Sequence, residues 1–288
     1  MRAALKRAAR RPVDRVLDGA AERRRLDEKT SPHVKIALRR LFLDYRGRAQ
    51  TGAQQPSVWE TGFRIFSQFD EDGVLLFALG AAGLGTRRFV DIGAGDGVFA
   101  SNCANLALNL GFHGLFVEAR EPEVARGRHF YATHPDSREQ PPPFVQAFVT
   151  RENVNDIVGG AGFEGDVDLL SIDIDGNDYW IWEALECISP RLVIVETHTE
   201  LGLSDHVMSY DPGFDWQNTL PGTTIGASPV AMTKLAERLG YRLVGANLYG
   251  FNTVYAREDI EPEALPAINV DELFRHPSYS ATIARRGE

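Results

Sequence analysis

The stretch LLSIDIDGNDYW, residues 169–180, ends an apolar run with three carboxylates, Asp173, Asp175 and Asp178, inside six positions. Like charges that close together are unfavourable unless a cation or several N–H donors sit among them. A second apolar run, RLVIVETHTE (191–200), also ends in an acid, Glu196, with His198 two residues on. Residues two apart share a strand face, so if the two runs are neighbouring strands, Asp173, Glu196 and His198 gather at one end of a sheet. Three chemistries then compete. Asp173 and Glu196, with Asp175 or His198, make an oxygen-rich set for Mg²⁺ or another divalent cation, which would lower the pKa of a bound hydroxyl. Alternatively, His198 is a metal-free general base, because its pKa lies near working pH. In the third reading the acids are structural, since Asp175 and Asp178 flank a helix start and acids suit a first turn. The spacing favours a division in which Asp175 and Asp178 begin the helix and Asp173 faces the reaction centre.

A glycine loop supplies the second half of the chemistry. FVDIGAGDG (89–97) runs from an apolar strand through Asp91 into Gly93, Gly95 and Gly97. Glycines let the backbone turn sharply and approach a ligand with no Cβ in the way. The next apolar run, LFVEA (115–119), ends in Glu118, whose carboxylate can accept hydrogen bonds from both hydroxyls of a ribose. Dinucleotide folds prefer G-x-G-x-x-G. Here the spacing is one residue shorter, and Asp96 stands inside the loop, where an acid suits a sulfonium or an amino group better than a pyrophosphate.

Positioning these groups requires an alternating β/α scaffold. From residue 88 onward, apolar strand-like runs alternate with helical segments: RFVDIG, HGLFVEA, PFVQAFV, VDLLSID and RLVIVETH are the strands. Continuous apolar strands separated by helices indicate a parallel sheet covered on both faces. YRLVGANLYGFNTVYARED adds two strands around Gly250. The expected fold is therefore α/β: a doubly wound, Rossmann-like, seven-stranded sheet with an antiparallel edge strand, plus an N-terminal helical extension. In such sheets ligands bind at the carboxyl ends of the strands. The expected organisation is an N-terminal helical extension with a basic arm over 1–58, a catalytic domain over 59–259, and a tail over 260–288 packing on it. A turn-rich stretch, RAQTGAQQPSV (48–58), marks the first boundary.

The bulk properties exclude several classes. Net charge is -9 over 288 residues, which argues against a nucleic-acid binder. Two cysteines, Cys103 and Cys187, give no disulfide framework and suit a reducing cytoplasm. No transmembrane segment is expected. The first 25 residues hold nine Lys/Arg against three acids, without the apolar core of a secretory signal. Such an arm suits a peripheral contact with an anionic membrane, an acidic protein partner or a homo-oligomer.

FVDIGAGDG with LFVEA resembles the class I S-adenosylmethionine-dependent methyltransferases, over roughly residues 65–258. More narrowly, SQFDEDG (67–73), SIDIDGNDYWIWEAL and YDPGFDW…GASPVAMTKLAERLGYRLVGANLYGFNTVYARED are similar to bacterial FkbM-like methyltransferases, often found with polysaccharide and glycoside biosynthesis. DIDGND stands where that group more often shows D-x-x-G-x-E. The resemblance implies S-adenosyl-L-methionine as cofactor, with Asp91, Gly93, Gly95 and Gly97 around its methionine part and Glu118 on its ribose. It implies Thr150 or Asn153 at the adenine edge, and Ser67, Gln68 and Asp72 closing over the cofactor, although Ser67 equally suits a helix N-cap. The implied reaction is methyl transfer to a sugar or glycan hydroxyl, on an acceptor either nucleotide- or lipid-linked. Metal-dependent catechol and sugar methyltransferases carry carboxylates at the same strand ends. Two rivals stand beside it: an NAD-dependent sugar oxidoreductase or epimerase, disfavoured by the loop spacing and the lack of a Tyr-x-x-x-Lys relay, and a non-catalytic nucleoside-binding assembly protein.

The long connection 201–227 carries Tyr210, Phe214, Trp216, Gln217 and Asn218 beside Asp211 and Asp215, a composition suited to holding an acceptor or to packing aromatics into the core. Asn247 and Asn252 flank the last turn, where turn roles are expected.

Overall fold

The apolar runs form seven strands in the computed structural model, which describes residues 24–219 and 223–275. They are β1 (Arg88–Ile92), β2 (His113–Glu118), β3 (Phe144–Gln146), β4 (Gly165–Ile172), β5 (Ile188–Glu196), β6 (Tyr241–Ala246) and β7 (Asn252–Arg257). Their order in the one sheet is β3-β2-β1-β4-β5-β7-β6. β1 to β5 pair in parallel, and β7 runs antiparallel to both neighbours, β5 and β6. The seven-stranded doubly wound α/β sheet expected from the sequence is therefore present, with its antiparallel strand next to the β6 edge. Chain-adjacent β6 and β7 form a hairpin, and the single turn between them forces opposite directions.

Seven α-helices connect or cover these strands in the described residues: α1 (Pro32–Thr51), α2 (Glu71–Ala82), α3 (Ala104–Asn109), α4 (Glu121–Thr133), α5 (Val154–Gly160), α6 (Asp178–Ala184) and α7 (Pro229–Arg238). Residues 24–29 are also helical. Every residue of α2 is buried. A helix apolar on all sides needs cover on all sides, and α1 supplies it. A Cβ on Gly80 of α2 would stand 2.9 Å from Tyr45 Cβ, so the missing side chain sets how close the two helices lie. The N-terminal helix is thus a layer of the domain. The chain after β7 is fastened as well: buried Arg242 donates to the carbonyls of Leu265, Arg257 and Ile260. The basic arm before residue 24 lies outside the described residues.

Local differences from the sequence reading have physical causes. The helix after β1 begins only at Ala104, because Ser101 Oγ accepts the N–H groups of Cys103 and Ala104 and holds the chain in a turn first. β3 is three residues long, shorter than its apolar run PFVQAFV, and α5 follows it. No helix of the described residues is long and apolar enough to cross a membrane.

Candidate active site

The chain leaves β1 for β2 on one side of the sheet and β4 for β5 on the other, so a crevice opens above the β1–β4 boundary. Two loops meet there. Asp173 N donates to Ile92 O at 2.9 Å, and a Cβ on Gly93 would fall 1.8 Å from Asp173 O. Only glycine permits that approach, and its φ of 86° is also glycine's own. Gly95, at φ 57°, has open space where a side chain would be. Asp96 does not face this space: its Oδ1 accepts the N–H groups of Val98 and Phe99 and shapes the loop from behind.

A cavity of ≈ 270 Å³ fills the crevice. Its floor includes Gly93, Glu118 and Asp173, its far wall Phe148 and Val149, and its roof Phe214 and Trp216. Glu118 is buried, at 6 % exposure, yet faces this space. Its Oε2 accepts Gly95 N–H at 2.9 Å, and its Oε1 accepts the backbone N–H of Arg120 at 2.8 Å and the Arg120 Nε–H at 3.2 Å. A carboxylate offers about four acceptor positions, so one on Oε2 is free, and the exposed Arg120 guanidinium can yield another. Those are the two a ribose diol needs. Asp91 lies beneath the floor, hydrogen-bonded by Ser171 and Cys103. Burial pushes its carboxyl up to about 7 against those bonds, with Glu118 adding to the rise.

The acids close the other end. One carboxylate oxygen each of Asp173, Asp175 and Glu196 lie within 4.8 Å of one another. Burial first, then the neighbouring acids, holds Asp173 and Glu196 well above the ordinary carboxylate range. Among the described residues no lysine or arginine pairs with any of the three. Asp175 stands at φ 59°, a left-handed conformation that costs a non-glycine residue about 1 kcal/mol. This corrects the expectation that Asp175 begins the helix: α6 starts at Asp178, and Asp175 joins the acid group instead. Asp178 behaves as expected of a structural acid, its two oxygens accepting Ile174 N–H and Gly176 N–H. The residues fit a hard divalent cation. Three oxygen donors converge with no lysine or arginine paired to them among the described residues, and Glu196 Oε2 is buried with no hydrogen-bond partner.

His198 is adjacent to that group and outside it. Its Nδ1 meets Glu200 Oε1 at 3.0 Å, and its Nε2, also buried without a partner, is 3.9 Å from Glu196 Oε2. The ring packs under Gly226, where a Cβ would clash at 2.1 Å.

Several expected contacts take other roles. Asp72 Oδ2 accepts the N–H groups of Ile65, Phe66 and Ser67 and the Ser67 hydroxyl, so it builds the preceding loop instead of touching a cofactor. Ser67 is not a helix N-cap, since α2 is preceded by Asp70. Gln68 is exposed and outside the cavity lining. Asn153 Oδ1 accepts Thr150 N–H and its amide donates to Phe148 O, which closes a turn. Neither Thr150 nor Asn153 lines the cavity; Phe148 and Val149 do. Because β3 ends at Gln146, the wall is reached earlier in the chain than its apolar pattern suggests.

The 201–227 connection also differs from its expected part. Tyr210 donates to Glu152, Asn177 donates to Asp211 O, and Trp180 donates to Met208 O, which ties the segment down. Phe214 lies on Gly176, where a Cβ would be 2.3 Å from the ring. Phe214 and Trp216 therefore roof the crevice from Glu118 across to Asp175.

No protein-family model matches the chain, and no curated protein does. Among solved structures, an S-adenosylmethionine-dependent methyltransferase from Clostridium acetobutylicum is 9 % identical, covering 62 % of this chain and 87 % of its own, with a TM-score of 0.40. Magnesium protoporphyrin IX methyltransferase from Synechocystis, with S-adenosylmethionine bound, is 15 % identical over 77 % of this chain and 96 % of its own, at 0.41. The N-terminal domain of EvdMO1, with S-adenosylhomocysteine bound, is 15 % identical over 74 % and 95 %, at 0.42. Likeness at this level leaves the chemistry to be read from the site's own atoms.

Proposed function

We propose that the chain is an S-adenosylmethionine-dependent O-methyltransferase of the FkbM-like kind, acting on a sugar or glycan hydroxyl. The observation that carries this reading is Glu118, a buried carboxylate locked to the glycine loop and still facing the crevice. It suits a ribose, and the unobstructed backbone at Gly95 suits the amino-acid end of the same molecule. Extended from Glu118 across the crevice, such a donor brings its sulfonium toward Asp173.

The chain's own groups then account for the transfer. His198 Nε2 takes the acceptor's proton as the oxygen attacks the methyl carbon in line; the carbon–sulfur pair returns to sulfur, leaving S-adenosylhomocysteine. Glu200, on Nδ1, orients the ring. Holding both reactants in register supplies much of the acceleration. Asp173, Asp175 and Glu196 are the residues that would hold a divalent cation, which when bound would polarise the acceptor oxygen and lower its pKa.

Calorimetry with S-adenosylhomocysteine and with NAD, followed by transfer of labelled methyl into activated-sugar and glycan extracts, tests the proposal. Binding of the first ligand alone, with a product heavier by one methylene, is expected. NAD binding instead, or homocysteine-product binding with no transfer to any extract, refutes it. Mn²⁺ titration followed by electron paramagnetic resonance addresses the acid group separately: binding is expected in the native protein and lost in D175N and E196Q.

A further inference from the structure

Phe214 and Trp216 roof the cavity lined by Glu118, Asp173 and Asp175, while Glu196 and His198 lie outside its lining, so an acceptor reaching those two needs a different wall. One stands on the opposite side of the acid group. β7 neighbours β5, with Asn252 opposite Glu196 in register, so the β6–β7 turn rises directly beside Glu196. Thr197 N–H donates to Phe251 O, and Gly250, at φ 79°, lies against the Thr199 methyl. The turn is therefore pressed against the segment that bears His198.

Three rings meet on this turn. Phe69, from the SQFDEDG segment, packs edge-on against Tyr249 at 4.6 Å and Phe251 at 5.4 Å between centroids. Tyr249 and Phe251 lie nearly parallel, 4° apart in plane and 6.2 Å between centroids. All three are partly exposed. A flat ring inserted between two parallel ones needs about 7 Å, twice the contact distance, so nothing enters between them; they offer an outer face.

Holding this group in place has a cost. Glu71 is fully buried, and its carboxylate accepts only neutral donors: Phe69 N–H at 2.8 Å, the Asn247 amide at 2.8 Å and the Asn252 amide at 3.1 Å. Asp70 adds a bond from Leu248 N–H at 2.8 Å. A carboxylate buried without a cation is unfavourable even when hydrogen-bonded, a cost that a surface turn does not require. Glu71 and the two asparagines fix the SQFDEDG loop and the β6–β7 turn as one rigid unit.

We infer that Phe69, Tyr249 and Phe251 form the acceptor subsite, with a pyranose ring laid on their face and its hydroxyls turned toward Glu196 and His198. This rests on the proposed methyl transfer and assigns the wall that holds its acceptor. A pyranose suits the place because its C–H face packs on aromatic rings while its equatorial hydroxyls meet the neighbouring acids.

Saturation-transfer NMR on protein loaded with S-adenosylhomocysteine tests it, using methyl α-D-gluco-, galacto- and mannopyranoside and, separately, catechol. Transfer to the ring protons of at least one glycoside is expected, falling about fivefold or more in Y249A and F251L and returning in Y249F. Thermal melts show that the variants fold, and calorimetry is expected to find their S-adenosylhomocysteine affinity unchanged. No glycoside signal from the native protein, a signal unchanged in both Y249A and F251L, or a signal from catechol alone overturns the inference. Failure of the loaded state itself, with no S-adenosylhomocysteine bound, instead sinks the methyltransferase reading.

Discussion

Replacing Glu118 by alanine removes the group on which cofactor binding is argued to depend, and the structure sets the size of the effect. Two ribose hydroxyls would donate to the free position on Oε2 and to the position on Oε1 yielded by the Arg120 guanidinium. Hydrogen bonds to a charged group contribute about 1.5–3 kcal/mol each, so the pair is worth about 3–6 kcal/mol. At about 1.4 kcal/mol per factor of ten, affinity for S-adenosylhomocysteine should fall roughly 10²- to 10⁴-fold. The same substitution frees Gly95 N–H and loosens the loop, which pushes the result toward the upper end. E118Q is the informative companion: it keeps the shape, yet its NH₂ must oppose either Gly95 N–H or the Arg120 N–H, so it too should bind weakly. Isothermal calorimetry reads both, with thermal melts confirming that the variants fold. If folded E118A binds S-adenosylhomocysteine within about twofold of the native protein, Glu118 does not hold a ribose and the reasoning fails.

R120A should bind S-adenosylhomocysteine at least as tightly as the native protein, because the guanidinium only occupies a position that the ribose takes; a marked loss by calorimetry would contradict this. W216F should abolish most of the change in tryptophan fluorescence on cofactor binding, since Trp216 is the tryptophan that lines the cavity while Trp59, Trp180 and Trp182 do not; a change carried intact by the variant would place the ligand elsewhere. Asp91, raised by burial from 3.8 to about 7, holds its proton in the native state long after the unfolded chain has released it. Its contribution therefore falls as pH rises from about 4 to about 7, by about 4 kcal/mol in total, and is flat above. Denaturant titrations should show native stability declining relative to D91N across that window, and a parallel course would refute it. Asp168 accepts Gly85 N–H and Arg87 N–H and pairs with Arg191 at 3.3 Å while fully buried. D168A should then cost about 3–5 kcal/mol in unfolding free energy with the site's residues untouched, and a loss under about 1 kcal/mol would show the pair to be dispensable.

The sheet was legible because parallel strands buried on both faces must be continuous apolar runs, and β1, β2, β4 and β5 are such runs, the last three ending at their acids. Glu118, Asp173 and Glu196 could be placed for the same reason: a residue that ends a buried strand sits at the sheet's rim whatever the loops do. What escaped the sequence depends on loops and on short elements. Phe148 was passed over because β3 stops at Gln146 and the wall comes from the irregular residues after it. Asp175 looked like a helix-starting acid, and only its left-handed backbone turns it toward Asp173 and Glu196. Asp72 and Glu71 are neighbours on one helix end with different tasks, one bonding backward into its own loop and the other across to a turn some 176 positions away. Sequence spacing carries no trace of that second partnership. The aromatics of the 201–227 connection have the right chemistry for a sugar, and the packing of Phe214 on Gly176 makes them the roof of the cavity shared by Glu118 and Asp173.

The most direct measurement is a crystal structure of the protein with S-adenosylhomocysteine. The ligand's ribose should sit on Glu118, its base between Phe148 and the roof at Trp216, and its sulfur toward Asp173 on the side facing Glu196 and His198. An empty crevice beside a ligand bound elsewhere, or a ligand whose sulfur points away from those acids, would contradict the account.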